Sequence, residues 1–406
     1  MEWVSGGVCA PQGFKAGGTH CGLKKGKSDL ALIVSDVPAH AAATYTKNAV
    51  QAAPLHVSKR HLADGTLQAV IINSGNANAC APDGEQNALA MCEFTAKGLG
   101  IPADQVAVSS TGVIGVSMTP KIGLVQAGIE ALTTKLSADA SGSEAAAKAI
   151  MTTDLVQKEM AVKLTLGGKT VHIGAIAKGS GMIHPNMGTM LCFITTDAAI
   201  EKNLLTKALR RVVDHSYNRI SVDGDTSTND FCLILANGLA GNSEISTEDT
   251  DYIAFVEALT DLCIHLARTI AADGEGATHL ITCEVNHAPD EETATEIARS
   301  VISSSLVKSA IFGKDANWGR ILCAAGYAGV SFDPELVSIS FVSEAGEVAV
   351  CKGGRGFPFD EDLAIKVLTP HEIVIRIDMA QGEAMSTCWG CDLTYDYVKI
   401  NGDYRT

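Results

Sequence analysis

Ala177-Lys-Gly-Ser-Gly-Met-Ile-His-Pro-Asn-Met-Gly-Thr-Met-Leu-Cys-Phe-Ile-Thr-Thr-Asp-Ala198 is the stretch on which the reading of this chain turns. It opens with a glycine loop, Lys178-Gly-Ser-Gly181, and closes with an apolar run that reads as a buried strand. Between them Gly188 precedes Thr189, which stands at the mouth of that strand with proline and glycine just upstream. A hydroxyl held against its own preceding carbonyl can attack it, shifting the acyl group from nitrogen to oxygen. Hydrolysis of that ester leaves a chain beginning with Thr189. The freed α-amine has a reference pKa near ~8, against ~10.4 for a lysine, so it can act as base for the adjacent hydroxyl. The same pattern also fits a threonine that simply opens a strand, where threonine is common.

Outward from this stretch, strands and helices mix without strict alternation. Asp29–Ser35, Gln68–Asn73 and 278–285 read as strands, and a hairpin turns around Gly167-Gly168. Apolar spacing predicts helices over about 84–98, 120–135, 201–215, 249–271 and 290–304. The fourth of these places Ile253, Val256, Leu259, Cys263 and Leu266 on one face. The polar stretch Ser137–Glu144 reads as the weakest join. With 406 residues, 46% of them hydrophobic, the chain has material for two or more lobes. The fold class is α/β with mixed α+β layers: a layered sandwich of mixed sheets and helices.

Composition removes several functions. Acidic residues outnumber basic ones 46 to 31, a net charge of −15, so no basic stripe exists to neutralise phosphates and no nucleic acid is expected. No run approaches the ~18 apolar residues of a membrane helix, and the start has neither a basic nor an apolar region. A cytoplasmic protein is expected, or an organellar-matrix one if a transit peptide has been removed. Twelve cysteines lie singly; Cys192, Cys232, Cys263, Cys283 and Cys323 sit in apolar runs as small buried hydrophobes do. The one C-x-x-C, Cys388–Cys391, lacks a second pair and lies before a strand-like segment, so packing is its expected role. Asp223–Asp230 is dense in oxygen, but Thr228 and Ile234 occupy the glycine and glutamate positions of a calcium loop. No H-E-x-x-H, G-x-S-x-G or phosphate-loop motif appears, and no metal or organic cofactor is expected. His184, beside Pro185, reads as a loop-packing residue. Ser109–Gly115 carries a Thr-Gly turn that can expose backbone N–H groups to a developing oxyanion, or can simply end a strand.

The quoted stretch closely resembles the self-cleavage region of the ornithine acetyltransferases, also called glutamate N-acetyltransferases, of arginine biosynthesis. The likeness covers essentially the whole chain. It includes Gly13–Gly17, Asn73–Ala79, Ser110–Gly115, Met151–Asp154, Ser221–Asp230, Asp273–Thr278, Lys314–Arg320, Trp389–Asn401 and Thr406. The resemblance implies cleavage between Gly188 and Thr189, giving an α chain of residues 1–188 and a β chain of residues 189–406, assembled as an α2β2 heterotetramer. Gly188 departs from the alanine common there, a small change. Carried over by position, Thr111 and Gly112 form the oxyanion hole. Thr152, Lys178, Thr189, Glu275, Asn401 and Thr406 bind substrate, with Thr152 chosen over Thr153 on spacing. The implied reaction is ping-pong transfer of acetyl from N-acetylornithine to glutamate through Thr189, with acetyl-CoA as a further donor in bifunctional members. An N-terminal-nucleophile aminopeptidase or amidase of the same fold is the alternative.

Overall fold

The strands Leu191–Thr196 and Phe231–Ala236 are buried along their whole length and lie parallel, Leu191 opposite Phe231. A strand covered on both faces has no polar side to show, which is why both read as unbroken apolar runs. In the computed structural model, which describes residues 1–184 and 190–403, they sit in the middle of a nine-stranded mixed sheet. Its path runs Glu2–Val4, Lys158–Leu166, Lys169–Lys178, Leu191–Thr196, Phe231–Ala236, Leu30–Tyr45, Thr66–Asn73, Val106–Ser110, with Phe14–Thr19 also paired to Leu30–Tyr45. Side chains alternate across it. Ile173, Ala175, Cys192, Ile194, Cys232 and Ile234 face a core shared with helices Lys202–His215 and Thr250–Ala272. Ile176, Leu191, Phe193, Phe231 and Leu233 face the opposite way, toward helix Ala140–Ile150.

A second mixed sheet orders Arg355–Gly356, Gly346–Lys352, Ser338–Ser343, Glu372–Asp378, Leu280–Ala288, Ala384–Cys391 and Ile220–Ser221. It turns Leu280, Trp389 and Cys391 toward the core around Thr250–Ala272. Its other face, with Ile281, Cys283 and Cys388, packs on helices Glu291–Ser303, Ser305–Phe312 and Trp318–Gly326. The layered α/β expectation holds. The first sheet draws strands from both sides of position 188, with Phe231–Ala236 between Leu191–Thr196 and Leu30–Tyr45.

Several expectations are corrected. Ser137–Glu144 is no join: Ser137 and Ala16 exchange both backbone hydrogen bonds, and Asp139 caps the helix Ala140–Ile150. Gly142 of that helix lies against the Ala16 carbonyl, where an added Cβ would come within 2.6 Å of the oxygen. The helix Ala53–His61 was also not predicted. The strand expected over Asp29–Ser35 continues to Tyr45, a bulge between Val34 and Ala39 absorbing the Asp36–Pro38 interruption. Ile253 is 53% exposed rather than on the buried face, and Cys323 is exposed. Cys388 and Cys391 lie within a strand rather than before one, and belong to the cores on opposite faces of the sheet. They therefore cannot turn toward one ion. Among the described residues no helix is long and apolar enough to cross a membrane.

Candidate active site

Six of the residues singled out from sequence line one cavity. Thr111, Gly112, Thr152, Lys178, Glu275 and Asn401 enclose about 320 Å³, together with Thr153, Gly181 and Ser227–Asn229. Gly188, Thr189 and Thr406 lie outside the described residues. A narrow recess shares Thr111, Lys178 and Asn229 with this cavity and continues to Met190, Leu191 and Asp230. The chain therefore re-enters the described structure, one residue after Thr189, on the wall of the pocket.

Each wall has a local cause. Val106–Ser110 delivers Thr111, whose N–H is already donated to the Asn73 carbonyl at 2.9 Å. That N–H is therefore engaged within the fold, while Thr111 lines the cavity. Gly112 follows at φ +132°, and a Cβ there would come within 2.8 Å of the Asn76 nitrogen, so only glycine fits this turn. Asn229 fixes the opposite wall by donating from Nδ2 to the carbonyls of Ala77, at 2.6 Å, and Ser110, at 2.8 Å.

Lys178 ends the strand Lys169–Lys178 and is 8% exposed. Among the described residues no carboxylate lies within ion-pairing distance of it. Behind it lies a buried triad. Lys158 donates to Asp154 Oδ1 at 2.8 Å and to Asp273 Oδ2 at 2.5 Å. Asp154 also accepts from the N–H groups of Gly179, at 2.7 Å, and Thr152, at 2.9 Å. Asp273 accepts from the N–H of Leu155, and its carbonyl accepts from the Ser180 hydroxyl. One buried cation thus ties together the three segments that carry Thr152, Lys178 and Glu275. Burial pushes the Asp154 carboxyl up, but the Lys178 and Lys158 ammoniums outweigh it and hold it well below the usual carboxylate range. Lys24 buttresses the same region, donating to the Met151 carbonyl at 2.5 Å, and burial pulls its ammonium down to about 8.

Glu275 accepts from Asn401 Nδ2 at 2.8 Å, which docks the helix Tyr395–Asp403 on the pocket. Gly181 makes room for the Glu275 carboxylate: a Cβ there would stand 2.5 Å from it. Gly181→Ala should displace that flexible carboxylate, raising KM about tenfold while leaving the melting temperature within a few degrees. Initial-rate kinetics beside a thermal melt check both.

The segment leading toward position 185 is gripped from the other half of the chain. The Asp223 carboxylate accepts from the N–H groups of Met182, at 2.6 Å, and Ile183, at 2.9 Å, while Val222 N–H donates to the Ile183 carbonyl. His184 packs as predicted, its Nδ1 3.1 Å from the Ser221 hydroxyl, and burial lowers its pKa. Sequence reading gave no role to Asp154, Lys158 and Asp223, whose partners include groups distant in the chain. A larger groove of about 550 Å³ around Arg219 and Glu291 holds none of the pocket residues, and those two charges pair with each other at 2.6 Å.

Comparison with known proteins gives a consistent result. The ArgJ family profile matches residues 15–406. The arginine biosynthesis bifunctional protein ArgJ of Symbiobacterium thermophilum is 51% identical over 410 residues, covering 100% of each chain. The protein of the same name from Thermotoga neapolitana is 49% identical over 401 residues, 98% of this chain and 99% of that one. Among solved structures, the arginine biosynthesis bifunctional protein argJ of Bacillus halodurans is 42% identical with a TM-score of 0.50. It covers 52% of this chain and 98% of its own. With a match from residue 15 to the last residue and end-to-end relatives near half identity, the chain belongs to the ArgJ family.

Proposed function

We propose that this chain is an acetyltransferase of arginine biosynthesis that cuts itself between Gly188 and Thr189 and then carries acetyl on the Thr189 hydroxyl. The observation that carries this reading is the single cavity holding Thr111, Gly112, Thr152, Lys178, Glu275 and Asn401, with Met190 on its adjoining recess. The cavity presents one buried ammonium and one carboxylate. That pair complements N-acetylornithine, which has a carboxylate at one end and an ammonium at the other. The names of the relatives agree with the pathway. The solved Bacillus halodurans chain matches only about half of this one, as a fragment of a divided protein would.

In the proposed reaction the Thr189 α-amine takes the proton of the Thr189 hydroxyl as its oxygen attacks the acetyl carbon. Thr111 and Gly112 are proposed to donate to the developing oxyanion. The carbon–nitrogen bond breaks, the proton passes to the departing ornithine amine, and acetyl-Thr189 remains. The neutral amine of glutamate attacks this ester, and the proton returns to the threonine oxygen through the same α-amine. Acetyl-CoA is proposed as a second donor entering at the same ester. The two chains are proposed to assemble as a cytoplasmic α2β2 heterotetramer.

Intact-mass analysis with N-terminal sequencing, before and after brief exposure to N-acetylornithine, tests this. Two chains are expected, residues 1–188 and 189–406, with one acetyl added to the second. Active protein consisting of a single unbroken chain removes the proposal.

A further inference from the structure

Thr111 and Gly112 sit on a turn whose frame is held by a side chain from much later in the sequence. Asn229 is 5% exposed, and its amide nitrogen donates to the Ser110 carbonyl at 2.8 Å and to the Ala77 carbonyl at 2.6 Å. Its Oδ1 accepts from the Thr228 hydroxyl at 2.6 Å, so the amide group is oriented from both ends. Both amide protons are engaged on carbonyls, which leaves Asn229 no donor for a substrate. The Ser110 carbonyl belongs to the same planar peptide as the Thr111 N–H, which donates to the Asn73 carbonyl at 2.9 Å. That peptide is therefore fixed at both edges. Ala77, whose carbonyl Asn229 holds, also donates its N–H to the Val113 carbonyl at 3.0 Å, bracketing the turn from its other end. Asn73 completes the frame: its Oδ1 accepts from the N–H groups of Gly75, at 3.2 Å, and Asn76, at 3.0 Å, the backbone against which Gly112 packs. Between these anchors Gly112 lines the cavity, and among the described residues nothing accepts from its N–H.

We infer that Asn229 is a positioning residue for acetyl transfer: by locking the Ser110–Thr111 peptide it aims the next N–H, that of Gly112, at the acetyl oxygen of the substrate. The inference rests on the oxyanion role proposed above for Thr111 and Gly112. A donor stabilises a developing oxyanion well only when it is already in place and need not reorganise as the charge appears. The peptide between Thr111 and Gly112 could swing by rotation at its two flanking bonds, one of them in a glycine, which permits it readily. With the preceding peptide held by Asn229 and Asn73, and Gly112 packed on Gly75 and Asn76, no neighbouring rotation remains to accompany such a swing.

Two variants separate this from a role in stability alone. Asn229→Asp keeps the shape but sets an oxygen against the two carbonyls, and Asn229→Ala removes the group. In both, kcat counted per cleaved chain should fall about 10- to 10²-fold, while KM for N-acetylornithine stays within about threefold, because Lys178 and Glu275 are held by other segments. The methylphosphonamidate formed on the α-amine of ornithine presents a tetrahedral oxyanion without reacting. Its affinity, measured by calorimetry, should fall by the same factor as kcat/KM, since such mimics follow the transition state. NMR of the wild type needs no variant to fold. The Asn229 side-chain amide protons should exchange slowly with or without the mimic, while bound mimic slows exchange of the Gly112 amide about tenfold or more. Rapid exchange at Asn229, an unchanged kcat in either folded variant, or equal loss of affinity for the mimic and for N-acetylornithine would each overturn the inference. A wild-type Gly112 amide indifferent to the bound mimic defeats the oxyanion reading itself.

Discussion

Thr189→Ala is expected to remain one chain of 406 residues and to lose acetyl transfer by about 10⁴-fold or more. The size of the effect follows from the two functions proposed for this one residue. Without the hydroxyl there is no attack on the Gly188 carbonyl, so no cut. Without the cut there is no α-amine, so no base of pKa near ~8 in the pocket. Thr189→Ser keeps the hydroxyl and should still cut and transfer, more slowly. Denaturing gels, N-terminal sequencing and an acetylornithine–glutamate assay on the same preparations separate the steps. A threonine that only opened a strand would give a different result: a stability change within about 1 kcal/mol and full transfer.

Lys158→Met should produce the second large effect, and on a different quantity. Lys158 is fully buried between Asp154 and Asp273, and methionine keeps most of its unbranched stem without the ammonium. Removing one partner of a buried ion cluster leaves uncompensated charge, which costs about 3–5 kcal/mol. The sign of the pH dependence follows from which group is orphaned. In the wild type the Asp154 carboxyl is depressed, so its contribution is present above the ordinary carboxylate range and is lost as pH falls through the depressed value. In the variant Asp154 loses Lys158 but keeps Lys178, so its depression lessens and the stability deficit against the wild type should be smaller at pH 3 than at pH 7. Denaturant unfolding at the two pH values measures this. The surviving folded protein should also show a raised KM, because the amides of Thr152 and Gly179 hang from the same carboxylate. Equal destabilisation at both pH values would show that the cluster's charge is not what matters.

What could be read from the sequence tracks the range of the interaction involved. Helices with large apolar residues at regular spacing, such as Lys202–His215 and Thr250–Ala272, were placed to within a residue or two. The helix Ala140–Ile150 was not, because Ala-Ser-Gly-Ser-Glu-Ala-Ala-Ala-Lys-Ala-Ile has no broad stripe of large side chains. Its small residues serve another end: the helix rides so close to the sheet that a Cβ on Gly18 would lie 2.1 Å from the Ala145 carbonyl oxygen. Periodicity cannot register that kind of contact. At the pocket, the Thr-Gly turn at Thr111 was legible from the residues themselves, whereas the substrate-binding roles of Lys178 and Glu275 came only through resemblance of motifs. Lys158 drew no notice, since one of its two carboxylates lies 115 positions away. Asn229 appeared only as part of an oxygen-rich loop, and the two carbonyls it holds are a three-dimensional fact.

Phe231–Ala236 and Leu191–Thr196 are hemmed in by Lys169–Lys178 on one flank and Leu30–Tyr45 on the other. Severing the backbone at 188 would therefore not release anything: the two pieces are woven together like warp and weft, and dilution alone has no seam to open. The order of events matters for the same reason. Folding as one polymer is a unimolecular search, whereas two separated halves would have to find each other before the middle of the sheet could form. A protein built this way is best assembled as a single thread, and if that thread is then cut as proposed, its persistence would depend on never coming fully apart.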